Sequence, residues 1–176
     1  MTKVLTCPSV DLEPLEPGDE SLFLDLYCDP QTMKHLGVAM KLPDAKRAFR
    51  AALSQTRGGD NCGQFFWRVV TKPGAEAVGI MGLTRTSIRS GEVGILVRPE
   101  SRGRNIAVEA IAGLADYMFL DRGDQSLSAC HAASNSSTAR LLTKLGFSRQ
   151  PQGPAKETWH WLLLPEAWAA ARQPWR

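Results

Sequence analysis

Arg102, Gly103 and Arg104 lie between an apolar run and an amphipathic segment, a placement suited to binding an anion. The run from Val93 to Val97 is β-branched and apolar and stops at Arg98-Pro99, because proline has no N–H for a ladder. After a loop from Glu100 to Arg104, a helix is expected from near Asn105, with Ala107, Ala110, Ile111, Leu114 and Met118 recurring on one stripe. The first N–H groups of a helix lack intrahelical partners and lie at the positive end of its dipole. A phosphate there finds donors and favourable charge, with Gly103 permitting close approach and two arginines outweighing Glu100. The same residues also read as a surface loop with solvated arginines. Neither G-x-x-x-x-G-K-[ST] nor G-x-G-x-x-G occurs.

The stretch R-G-R-N-I-A, from Arg102 to Ala107, resembles the coenzyme A loop of the GNAT superfamily of acyl-CoA N-acyltransferases, [QR]-x-x-G-x-[GA]. Asn105 stands where that family usually has glycine, and asparagine tolerates the left-handed backbone better than other residues with a Cβ. Asn135 to Phe147, N-S-S-T-A-R-L-L-T-K-L-G-F, resembles the second signature of the same family, in register at the asparagine, hydroxyl, apolar and Gly-Phe positions.

The resemblance implies acetyl-CoA as donor and direct acetyl transfer to a primary amine through a tetrahedral intermediate, with no enzyme nucleophile. It implies that Arg102, Gly103, Arg104, Asn105, Ile106 and Ala107 hold the diphosphate, and that Ile95, Leu96 and Val97 hold the pantetheine arm through their backbones. Asn135 would hold that arm near the sulfur, Thr138 would act as general acid, and Arg140 would reach the phosphates. Glu92 is the first candidate for the base and Glu157 the rival. Each assignment has a plainer alternative: Asn135 as a helix cap, Thr138 as a local hydroxyl, Arg140 as a solvated charge, either glutamate as a strand-edge acid. His35, His131 and His160 have a suitable intrinsic pKa but no motif match, and Cys130 reads as core.

Implied for the fold is an α/β (α+β) sheet of about seven strands, mixed and mostly antiparallel, with one splayed pair and flanking helices. The chain's own pattern agrees. Val10 to Leu15 alternates as a strand, and Pro17-Gly18-Asp19 is a turn with Asp19 as a helix cap. Leu22, Phe23, Leu26 and Tyr27 make one helical face, and Asp29-Pro30 breaks that helix. Met33 to Leu36 is a short turn, and Asp44 caps a helix that stops at Arg57-Gly58-Gly59. Strands are expected over Phe65–Val70, Val78–Thr84, Glu92–Val97, Ser126–His131, from Phe147, and over Glu157–Leu164. Gly79 and Gly82 suggest a bulge or close backbone approach. A helix over Ser136–Leu145 ends at Gly146, and Trp168, Pro174 and Trp175 lie in a tail.

Residues 1–176 are expected to form a single domain. The net charge of +3, with acids and bases interspersed, argues against a nucleic-acid coat or a polybasic membrane patch. No apolar run approaches a membrane span, and no secretory pattern is visible. Cys7, Cys28, Cys62 and Cys130 lack metal-ligand spacing, which suits reduced thiols in the cytoplasm. The expected partner is an amine acceptor, either the α-amino group of a protein or peptide or a small amine; Asp29-Pro30-x-x-Met33 resembles the ribosomal-protein N-terminal acetyltransferase branch and favours the former. The expected assembly is a monomer or homodimer. A non-catalytic acyl-CoA binder and a protein-interaction module using the tryptophan-bearing tail are the alternatives.

Overall fold

A computed structural model describes residues 3–59, 63–151 and 157–172; Cys62, Pro174 and Trp175 lie outside the described residues. The short strand β1, Leu5–Thr6, pairs with β2, Val10–Pro14. A 3-10 turn over Pro17–Asp19 leads into α1, Glu20–Cys28, then α2, Pro30–Met33, and α3, Leu42–Arg57. An antiparallel meander follows, with β3 over Gln64–Thr71, β4 over Ala77–Ser87 and β5 over Ser90–Val97. Helix α4, Ile106–Asp116, widens into a π-helical turn over Tyr117–Asp121 before β6, Ser126–Ala132. The chain continues through α5, Ser136–Lys144, β7, Ser148–Arg149, β8, Thr158–Leu163, and α6, Pro165–Ala171.

Among the described residues the sheet has eight strands in the order β1-β2-β3-β4-β5-β6-β8-β7, and every neighbouring pair is antiparallel except β5 and β6. The strand beyond the expected seven is β1, whose two residues are too few to carry a period. The larger core lies under α4, α5 and α6, built around Met81, Val97, Ile111, Leu114, Leu127 and Trp161. The other face of β4 and β5 is covered by α1 and α3, where Leu22, Phe23, Leu26 and Phe49 meet Ile80 and Leu96. Strand alternation therefore sends Ile95 and Val97 to the first core and Leu96 to the second. Among the described residues no helix is long and apolar enough to cross a membrane.

Four local expectations are corrected. Helix α3 begins at Leu42, not after Asp44, because Pro43 needs no partner for a missing N–H in the first turn; Asp44 pairs with Arg47 instead. Asp19 precedes α1, but its carboxylate accepts from the Glu16 N–H at 2.8 Å and pairs with Arg68 at 3.2 Å rather than capping the helix. Trp168 belongs to α6, not to an irregular tail, and is buried with its indole N–H donating to Asp116 of α4 at 2.9 Å. The short turn near Met33 lies earlier than expected, as α2, because Asp29 caps it through the Gln31 and Thr32 N–H groups.

Gly79 fulfils the expectation of close approach. A Cβ there would stand 2.5 Å from the Leu96 carbonyl oxygen, and the register of β3 on β4 shifts beside it. Gly79→Ala is expected to cost about 1–3 kcal/mol, since the obstructing atom is backbone and cannot rotate away. A urea midpoint equal to that of the parent would contradict this.

Candidate functional site

The parallel pairing of β5 with β6 covers only three positions, Ser90 with Ser126, Gly91 with Leu127 and Glu92 with Ser128. β5 runs on to Val97 and β6 to Ala132 without further pairing to each other, so the strands fork at Glu92. The fork is the splayed pair that the family resemblance implies. The Arg98 N–H donates to Val78 of β4, and the Leu96 carbonyl lies against Gly79. By alternation the main-chain groups of Ile95 and Val97 turn into the fork while those of Leu96 serve β4. Leu96 is therefore corrected as a backbone contact for a ligand in the fork. The Val97 carbonyl already accepts from Arg102 Nε at 3.1 Å, which leaves Ile95 as the more open of the two.

One lip of the fork is the loop into α4. Gly103 and Asn105 both adopt left-handed φ, +78° and +60°, and Asn105 holds the N-cap position. Asparagine at this position keeps the backbone shape that glycine would supply. Arg104 is exposed beside the first N–H groups of α4. Arg102 departs from its expected role: its guanidinium turns inward, bonding Val97 and donating to Thr32 Oγ1 of α2 at 3.2 Å. Ile106 is buried and Ala107 packs on the core, so these two contribute through backbone.

The other lip is the start of α5. Asn135 caps the helix, its Oδ1 accepting from the Thr138 N–H at 3.2 Å. The capping alternative is thus realised, and it ties the Asn135 side chain to the Thr138 main chain at the helix start. Arg140 is exposed and touches Ser137 at 3.4 Å. Helix α2 is tied to both lips, through Thr32 to Arg102 and through the following His35, whose Nδ1 lies 3.4 Å from Ser134 Oγ.

At the vertex, Glu92 shares the α1/α3 side of the sheet with Cys130, whose Sγ lies 3.5 Å from Glu92 Oε1. Cys130 is exposed rather than core; burial of the thiol first, then the Glu92 charge, pushes its pKa up, which opposes a nucleophilic role. His160 is the cross-strand partner of Cys130 and stands exposed on the same face. Sequence reading found no signal for this grouping, because it arises only from the register of β5, β6 and β8. Glu157 is not brought to Glu92: it is exposed just before the start of β8, and its carbonyl accepts from the Ala133 N–H at 2.8 Å. His131 points to the opposite face and is buried.

These features suit coenzyme A. Unpaired main chain in the fork matches an amide-bearing arm, and the left-handed loop and α4 start match a diphosphate.

A family model described as an acetyltransferase (GNAT) domain matches residues 10–148. No curated protein matches the sequence. An acetyltransferase of the GNAT family from Bacillus anthracis has a similar structure, with a TM-score of 0.79 at 16% identity, covering 93% of this chain and 99% of that one. A GCN5-related N-acetyltransferase from Brucella melitensis gives 0.81 at 19%, covering 99% and 84%. A spermidine N-acetyltransferase from Vibrio cholerae, solved with CoA and spermine, gives 0.76 at 20%, covering 92% and 98%.

Proposed function

Because this chain belongs to the GNAT acetyltransferase family and is an acetyl-CoA-dependent N-acetyltransferase, we propose that Glu92 is its base and that its acceptor is the α-amino group of a peptide or protein. The observation that carries the reading is the fork: pairing stops at the one acidic residue of β5. A carboxylate at that vertex is positioned to take the proton that an ammonium must lose before it can attack.

Acetyl-CoA supplies the acetyl thioester. The N–H groups from Gly103 to Ala107, with Arg104, bind its diphosphate, and Arg140 adds charge nearby. The main chain of Ile95 and Val97 binds the arm. Asn135 orients the sulfur end, and the Thr138 hydroxyl donates to the departing sulfur. The acceptor approaches on the Glu92 face, between α2 with its following loop and the exposed face of β6 and β8.

Charge supports a peptide over a polyamine. Lys34, Lys41, Lys46, Arg47 and Arg50 are exposed between α2 and the middle of α3. The nearby acids are engaged already: Asp25 with Arg98 at 3.0 Å, Asp44 with Arg47, and Asp29 with Thr32, whose hydroxyl and N–H hold that carboxyl below its usual range. A polycation would meet like charge there. The Asp29-Pro30-x-x-Met33 segment itself is a helix cap with a buried methionine, so its lean towards α-amino acceptors is indirect.

Calorimetric titration should give one acetyl-CoA bound per chain. Release of CoA thiol should then be faster with peptides bearing a free α-amino group than with spermidine, by about 10-fold or more in kcat/KM. Absence of acetyl-CoA binding removes the site; preference for spermidine removes the acceptor.

A further inference from the structure

The buried pair of His131 and Trp161 has no part in the chemistry described above, yet it touches the frame of the site. His131 lies on β6 beyond the last residue paired to β5 and is 5% exposed. The Trp161 indole Nε1, which can only donate, reaches His131 Nε2 at 2.9 Å. His131 Nδ1 lies 2.8 Å from the Ala132 carbonyl, which can only accept. Both contacts are satisfied when Nδ1 donates to Ala132 and Nε2 accepts from Trp161, so the ring is fixed from both sides. The Ala132 carbonyl takes a second donor, the Asn135 N–H, at 2.8 Å. Asn135 in turn accepts from the Thr138 N–H. A hydrogen-bonded chain thus runs from Trp161 through His131 and Ala132 to Asn135 and Thr138.

The fork makes such a brace necessary. Past Ser128, β6 has lost β5 and is paired on one edge only, to β8. The corner from Ala132 to Asn135 is otherwise held by that single ladder and by the 3.4 Å contact of Ser134 with His35. We propose that His131 is a positioning residue: its Trp161-fixed imidazole holds the Ala132–Asn135 corner, and so sets Asn135 and Thr138 against the sulfur end of acetyl-CoA. It touches no reactant. The inference rests on the roles given to Asn135 and Thr138 above.

His131→Leu removes both bonds. His131→Asn places an amide nitrogen near the Nδ1 position and restores the donor to Ala132. Trp161→Phe keeps an aromatic ring and removes the donor to Nε2. In folded His131→Leu, kcat should fall on the order of 10- to 100-fold with acceptor KM within about twofold, because a misplaced group costs rate more than acceptor binding. His131→Asn should recover most of the loss, and Trp161→Phe should fall between the parent and His131→Leu. A folded His131→Leu with parental kcat overturns the proposal. So does an asparagine variant as slow as the leucine one, which would mean packing alone. Should the leucine variant not fold, Trp161→Phe decides: slowed turnover supports the brace and unchanged turnover removes it. A parent that binds no acetyl-CoA takes down the site reading, and the proposal with it; a parent that binds and turns over while the variants match it takes down the brace alone.

Discussion

Replacing Glu92 by glutamine is expected to lower kcat by about 10²- to 10⁴-fold, the range for loss of a positioned general base. The substitution preserves shape and removes the ability to hold the amine's proton. Glu92 is the last residue of β5 paired to β6, so its position is set by ladders on both sides. The diphosphate loop and the start of α5 are untouched, and acetyl-CoA affinity should stay within about threefold of the parent's. Glu157→Gln is the control: that residue is exposed just before the start of β8, and its expected effect is small. An independent readout is the Cys130 thiol beside Glu92. The Glu92 charge is one cause of its raised pKa, so alkylation followed by mass spectrometry should run faster in Glu92→Gln. Parental kcat in this variant would remove Glu92 as base and pass the role to another group on that face, such as His160, the cross-strand partner of Cys130.

Asp124→Ala should cause the largest loss of stability among single changes near the site, about 3–5 kcal/mol, because it strands a nearly buried guanidinium. Asp124 is buried and receives Arg85 at 2.8 and 3.0 Å through both carboxylate oxygens, with Arg122 Nε at 3.2 Å. It joins β4 to the loop before β6, and the same loop is held by the Gln125 N–H to the Arg89 carbonyl at 2.7 Å. The paired end of the fork, Ser90 with Ser126, starts immediately above. Given 2–4 °C per kcal/mol for a domain of this size, the melting midpoint should fall by about 10 °C. Burial pushes the Asp124 carboxyl up, but the bonds and charge of Arg85 and then Arg122 outweigh it and hold the pKa below the usual value. The folded state thus favours the carboxylate. Its contribution is present above the unfolded carboxyl pKa, about 3.9, and is lost as pH falls through the lower folded value. The parent's stability should therefore drop in that acid window, and Asp124→Ala should show a flatter acid limb. Equal midpoints and equal acid limbs would mean that the cluster is only a surface pairing.

Much of this was legible in the residues. The apolar run to Val97, the stop at Pro99 and the helical stripe from Ala107 are local patterns, and the elements lie where those patterns put them, with shifts at the ends. Asn105 in the left-handed region is likewise a matter of one residue's own sterics. A boundary moved at Asp44, which pairs with Arg47, whereas at Asp19 the start of α1 held and only the carboxylate turned to Arg68. The inward turn of Arg102 depends on Thr32, seventy positions away in the chain, and no spacing rule reaches that far.

By itself the sequence determined the strands from β2 to β8, the helices α1, α3, α4 and α5, the anion-suited loop, and the two signatures that mark the acetyltransferase family, because side-chain period, turn residues and contiguous motifs are properties of neighbouring residues; β1 and α6 were not among them. Only the tertiary structure decided that the ladder between β5 and β6 ends at Glu92, that Cys130 and His160 share that face, and that His131 is locked between Trp161 and Ala132. Those facts follow from register between distant strands, where a shift of one residue would turn every one of these side chains to the opposite side of the sheet.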